Sequence, residues 1–303
     1  SGLKLVQEGV FLESEVKAWL SQGPYPARNP NQNIADIKAQ IAANHKGQLE
    51  LLELIATSGL EVVQAYMGHI QDYAEEAIRS CIEFVNEGAF SVTMDSGAVI
   101  QVQIRKDPAS RSVTIDFSGT SPTQDNNQNA PIAIVKAAVL YVFRTLAKLP
   151  IPLNEGCLRP IHIHVPEESF LNPIHPAAVV AGNVETSQQI VDALYGALGL
   201  MAGSQGTMNN LTFGNDRYQY YETLCGGTGA GLEFDGADAI HSHMTNSRLT
   251  DPEILEWNYP VRLERFEIRR LSGGQGQHRG GDGVIRTLRF LEPMSVGMLS
   301  NRR

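Results

Sequence analysis

The chain has 303 residues, of which 42% are hydrophobic and 19% charged; this is the composition of a folded protein with one large core or two medium ones, and it excludes a disordered chain. A formal net charge of −9 sets up a field that repels nucleic acid and anionic membrane surfaces, so neither is an expected partner. Cys81, Cys157 and Cys225 are an odd number with no CxxC pair, which excludes a disulfide framework and a zinc-thiolate site and fits a reducing cytoplasm.

No run approaches the roughly 20 apolar residues of a membrane span, and no basic-then-apolar signal opens the chain. The chain starts abruptly at Ser1-Gly2-Leu3-Lys4-Leu5 and stops at Asn301-Arg302-Arg303, just after a strand-like stretch at 295–300, as is expected of a fragment. Residues 27–33 are Pro- and Asn-rich and read as a loop, with Asn33 as the N-cap of a long helix. In that helix Ile34, Ile37, Ile41, Leu51, Leu52 and Ile55 keep three-and-four spacing, and Gly59 ends it. Val63, Tyr66, Ile70, Tyr73, Ala77, Cys81 and Phe84 form a second apolar stripe. The two helices are expected to pack as an antiparallel hairpin with the stripes as core.

The period then changes to two. Segments 90–94 and 99–104 flank the turn Asp95-Ser96-Gly97, and Val113, Ile115 and Phe117 alternate in a third strand of an antiparallel meander. Residues 130–146 return to helical spacing behind Pro131 and are stopped by Pro150 and Pro152. Residues 161–165 form a short strand with His162 and His164 on its polar face, and 186–201 form a small-residue helix that should be buried. Helices segregated from mostly antiparallel strands predict an α+β fold, with a Gly/Asn-rich β region at the end and a loose boundary near Val180 separating 1–180 from 181–303.

Gly182-Asn183-Val184-Glu185-Thr186-Ser187-Gln188 opens a helix, where free amides and the dipole suit an anion or a developing oxyanion; plain capping by Thr186 or Asn183 fits equally well. Asn209 and Asn210 are poor formers of helix or strand, so recognition or a turn must account for them. The glycine runs at 226–231 and 273–283 lack any GxxxxGK[ST] or strand-to-helix GxGxxG pattern, so a nucleotide loop is excluded and tight turns are expected. In His241-Ser242-His243-Met244-Thr245-Asn246-Ser247-Arg248, a strand would place both imidazoles on one face, towards a metal or substrate, with Glu222 or Glu185 as completing carboxylate. Two simply hydrogen-bonded histidines are the other reading. Asp116 ends an apolar strand before a glycine loop and is open to a catalytic or an Asx-turn role. With no GxSxG elbow and no activated cysteine, covalent catalysis is disfavoured.

These clusters, together with Ile37-Lys38-Ala39-Gln40-Ile41-Ala42-Ala43-Asn44, Asp116-Phe117-Ser118-Gly119-Thr120 and Ile151-Pro152-Leu153-Asn154-Glu155-Gly156-Cys157, resemble the hydantoinase B/oxoprolinase family along nearly the whole chain. Residues 62–71 and 250–256 look more like its fused members than its separate subunits. The resemblance implies a two-part enzyme: a hydantoinase A-like half binds Mg-ATP and phosphorylates a cyclic amide, and the B half hydrolyses the activated ring, taking 5-oxo-L-proline to L-glutamate. It implies His241, His243, Glu185 and Asp116 as catalytic residues, with His241 and His243 also as ligands of a divalent metal. It further implies Asn183, Thr186, Ser187, Asn209, Asn210, Asn246 and Arg248 as substrate-binding residues, and a homo-oligomeric assembly. An amino-terminal family stretch with further histidine and aspartate motifs is missing from the match, so the isolated chain is expected to need it for activity. An N-methylhydantoinase, an ATP-dependent ketone carboxylase subunit and a non-catalytic assembly platform are the other readings.

Overall fold

The computed structural model describes residues 2–23, 26–147 and 150–301; the chain ends at Ser1 and Arg302-Arg303 lie outside them. Two compact units are formed, one of Ser1–His69 with Gly214–Gln219, the other of Ile70–Phe213 with Tyr220–Arg303. The division falls inside a helix and not near Val180, because the helix that follows Val180 shares one core with the strands before it.

In the smaller unit β1 (Val6–Gln7) and β2 (Val10–Phe11) form a short antiparallel ribbon, followed by α1 (Glu13–Leu20) and α2 (Pro30–Ser58). Helix α2 starts earlier than Asn33: the Asn29 side chain accepts the Gln32 N–H at 3.2 Å, and Pro30 occupies the first turn, where its missing N–H costs nothing. Gly59, at φ 86°, closes the helix, and α3 (Leu60–Phe84) follows directly. The expected burial of the apolar stripes fails here. Ile34 and Val63 are buried, but Leu51, Leu52 and Tyr66 are exposed. Periodicity shows that a face is apolar, not what covers it.

In the larger unit the second half of α3 buries Ala74, Ala77, Ile78 and Ile82. Strands β3 (Gly88–Thr93), β4 (Val99–Asp107) and β5 (Ser112–Asp116) form the expected antiparallel meander. After α4 (Ile132–Leu146), β6 (Ile161–His164) joins the sheet parallel to β5, with His162 and His164 exposed. Helix α5 (Thr186–Leu198) packs on α4, β3 and β4. It approaches β3 so closely that a Cβ on Gly196 would lie 2.6 Å from the Phe90 ring. Each fully buried Ile, Leu or Phe of this core contributes about 1.5–3 kcal/mol. Strand β7 (Asn210–Gly214) lies between β8 (Gln219–Thr223) and, after α6 (Pro252–Asn258), β9 (Val261–Ile268) and β10 (Val284–Phe290), the late strand β11 (Ser295–Leu299). Strands β9 and β10 pair antiparallel on their own. Leu211, Phe213, Tyr220, Leu255 and Val261 form a second, smaller core. No helix among the described residues is long and apolar enough to cross a membrane.

Candidate functional site

Helix α5 is buried almost throughout, yet carries Glu185 at its cap and Gln188, Gln189 and Asp192 along its length. Polar groups removed from water need partners, and here the partners are two chain segments. Along one face, spaced at i, i+4 and i+7, Glu185 accepts from Thr207 Oγ1 at 2.8 Å, Gln189 Nε2 donates to the Gly206 carbonyl, and Asp192 accepts the Ser204 N–H at 2.9 Å. Segment 204–207 is thereby zipped onto the helix. Gln188 Nε2 donates to Thr245 Oγ1 at 2.6 Å, and His243 Nε2 lies 3.4 Å from Asp192 Oδ1, so the 241–245 segment is held by the same helix.

The start of α5 is not capped by Thr186 or Asn183. Glu185 occupies the cap position without a side-chain cap bond. Thr186 donates to the Gln128 carbonyl, Ser187 Oγ to the Asn183 carbonyl at 2.7 Å, and the Asn183 side chain is exposed. Gly182 is required by packing: a Cβ there would lie 2.2 Å from the Asn129 carbonyl oxygen.

Glu185 is the electrostatic centre of this arrangement. Its Oε1 accepts from Thr207 and from Asn210 Nδ2, the latter at 3.3 Å, while buried Oε2 has no hydrogen-bond partner. Burial pushes its carboxyl up to about 7, against the opposing pull of Thr207, the Met208 N–H, Asn301 and Asn210. A carboxylate so placed can hold or release a proton at neutral pH.

The histidine segment is not a strand, so the alternation that would place both imidazoles on one face is absent. His243 has a left-handed backbone, φ 53°. Its ring is buried between Tyr141, whose hydroxyl is 3.3 Å from Nδ1, and the Tyr195 ring, with centroids 5.5 Å apart. His241 has both ring nitrogens buried without hydrogen-bond partners; burial pushes its imidazole down, countered by the charge of Glu222. Among the described residues no group of three or more His, Cys, Asp or Glu side chains is arranged to hold a metal ion. Glu222 does not complete such a site either: it is committed to Arg286, at 2.8 and 3.2 Å, and to the Tyr220 hydroxyl at 2.7 Å.

Of the remaining expected residues, Asn210 joins the Glu185 cluster. Asn209, at φ 47°, takes a turn role, with Ser300 Oγ donating to its side chain at 2.7 Å. Asn246 and Arg248 are exposed. Asp116 accepts the Ser118 N–H at 2.8 Å in an Asx turn, and hydrogen bonding by Ser118 holds its carboxyl below the usual range. Where tight turns are expected in the glycine runs, backbone also packs on backbone: a Cβ on Gly227 would lie 1.9 Å from the Gly281 carbonyl oxygen. Sequence reasoning missed Gln189, Asp192, Thr207 and Tyr221. Their signal was there in part, since Glu185, Gln189 and Asp192 are polar residues at helical spacing in a segment otherwise fit for burial.

The profile of the hydantoinase B/oxoprolinase family matches residues 1–303. The 5-oxoprolinase of Dictyostelium discoideum is 46% identical over an alignment 310 positions long that covers 99% of this chain and 24% of that protein. 5-oxoprolinase 1 of Arabidopsis thaliana is 43% identical over an alignment 327 positions long that again covers 99% of this chain, and 26% of the relative. Among solved structures, the ATP-dependent caprolactamase from Pseudomonas jessenii superposes with a TM-score of 0.77 at 25% identity, over 96% of this chain and 54% of its own. This chain belongs to the hydantoinase B/oxoprolinase family. It spans about a quarter of the length of those two curated relatives.

Proposed function

We propose that this chain is the ring-hydrolysing portion of an ATP-dependent 5-oxoprolinase, which opens 5-oxo-L-proline to L-glutamate together with an ATP-binding half. The names of the curated relatives that match 99% of the chain support the substrate. The observation that carries the chemistry is Glu185, a fully buried carboxyl that burial pushes up to about 7.

An unstrained lactam is a poor electrophile, and phosphorylation of its oxygen, supplied by Mg-ATP in the other half, makes the ring carbon attackable. Glu185 takes a proton from the water that bonds to that carbon. Glu185 passes that proton to the ring nitrogen, and as the carbon–nitrogen bond opens it carries the proton of the new hydroxyl to the departing amine, leaving an acyl phosphate that a second water hydrolyses to carboxylate and phosphate. Thr207 and Asn210 hold the carboxylate in place by their bonds to Oε1.

The test is turnover of 5-oxo-L-proline and ATP by the chain combined with an ATP-binding half, following glutamate and phosphate. Bicarbonate consumption, or preference for N-methylhydantoin, would replace this substrate with one of the other family chemistries. A Glu185→Gln variant that keeps full turnover would remove the proposed role of the carboxylate.

A second reading, an assembly platform, is favoured by one observation: Leu49, Leu52 and Leu54 of α2 and Tyr66 and Met67 of α3 are exposed. A Leu52→Glu/Tyr66→Glu double variant that loses association with the ATP-binding half, with unchanged folding, supports docking there; unchanged association removes it.

A further inference from the structure

The Asn210 side chain is buried and joins two groups of different chemistry. Its Nδ2 donates to Glu185 Oε1 at 3.3 Å, and its Oδ1 accepts a hydrogen bond from the hydroxyl of Tyr221. Tyr221 is half-exposed on β8. An ionised carboxylate only accepts hydrogen bonds, an amide has one donor end and one acceptor end, and a phenol can do either. The arrangement therefore has two self-consistent states. With Glu185 ionised, the amide nitrogen faces it and the phenol donates to the amide oxygen. With Glu185 protonated, the amide can turn round, accept from the carboxylic acid, and donate to the phenol.

We infer that Tyr221 is a positioning residue for the chemistry of Glu185: by donating to Asn210 Oδ1 its hydroxyl anchors the amide whose nitrogen donates to the carboxylate. The inference rests on the reading of Glu185 as the proton carrier. The groups that bear on Glu185 are Thr207, the Met208 N–H, Asn301 and Asn210, and Tyr221 is in electrostatic reach of it. Burial, with the Glu185 charge adding to it, raises the Tyr221 phenol above its ordinary range, so it remains a donor across neutral pH. Removing the hydroxyl leaves Asn210 Oδ1 without its donor in the present orientation. Neither orientation of the amide then keeps a partner at its far end, so the amide is held less firmly and its Nδ2 donates less well to the ionised carboxylate. Glu185 is thereby held protonated to higher pH.

The experiment is carbon NMR of the chain labelled at glutamate side-chain carboxyls, with the Glu185 signal assigned by its loss in Glu185→Gln. Wild type, Tyr221→Phe, Asn210→Ala and the double variant are titrated. Tyr221→Phe is expected to raise the Glu185 midpoint by about half a pH unit or more, the size of one lost hydrogen bond. In the Asn210→Ala background the same substitution is expected to add nothing. A Glu185 midpoint unmoved by Tyr221→Phe, or a shift that persists without Asn210, overturns the inference. The two readings fail separately: a wild-type Glu185 titrating in the ordinary carboxylate range removes its role as a neutral-pH proton carrier, whereas the positioning role stands or falls on the difference between Tyr221 and Phe.

Discussion

Thr207 donates its hydroxyl to Glu185 at 2.8 Å, across 22 positions of sequence. This bond closes the segment after α5 onto the cap of that helix, and it is one of the few groups that stabilise the ionised form of a carboxyl otherwise disfavoured by burial. Glu185→Gln keeps the shape and both donors but cannot ionise. Turnover by the assembled enzyme should fall by about 100- to 10,000-fold, and the rise of wild-type rate with pH through about 7 should vanish. Steady-state rates between pH 5.5 and 8.5, a range of about 7 ± 1.5, check this.

The same carboxyl makes a stability prediction of opposite slope. Because its pKa is raised from 4.5 to about 7 in the folded chain, the native state binds more protons than the unfolded state between these values. Its favourable contribution is present below the ordinary carboxylate range and is lost as pH rises through about 7, to the extent of about 3 kcal/mol. Denaturant unfolding from pH 4 to 8 should show wild type losing stability relative to Glu185→Gln over that window.

Arg286 and Glu222 form an ion pair whose side chains are 2% and 1% exposed. Arg286→Ala leaves a buried carboxylate without its cation and should cost about 3–5 kcal/mol. Adding Glu222→Gln should recover part of that loss. A double-variant cycle by chemical denaturation measures the coupling.

His243 fills space between Tyr141 and Tyr195 and is 2% exposed in its side chain. His243→Ala should destabilise the fold by about 2–4 kcal/mol through the cavity it leaves. A thermal melt unchanged from wild type would argue that the ring is not part of the core.

Gly182→Ala should cost about 1–3 kcal/mol by overpacking, since the new methyl would meet the Asn129 carbonyl oxygen at 2.2 Å. Gly274→Ala, where a Cβ meets nothing within 4 Å, is the matched control. Calorimetry of the two variants separates packing from composition.

The sequence on its own determined the α+β class, the meander β3–β5, the helix break at Gly59 and the burial of α5, because these follow from local periods of apolar residues and from turn chemistry. It also marked the 182–188, 209–210 and 241–248 clusters as chemically dense. Tertiary structure alone decided which of these act together. A period of 3.6 shows that Glu185, Gln189 and Asp192 share a helix face, but not that segment 204–207 lies along it. The histidine motif leaves a strand and two simply hydrogen-bonded histidines both open, because alternation over three residues is too short to specify a strand; the left-handed backbone of His243 and its closeness to Tyr141 and Asp192 decide against the strand. The apolar stripes of α2 and α3 were legible, but their exposure was not, since burial depends on what the rest of the chain brings alongside. The raised pKa of Glu185 is likewise a tertiary property: a carboxyl titrates by its surroundings, and those are supplied by residues from Thr207 to Asn301.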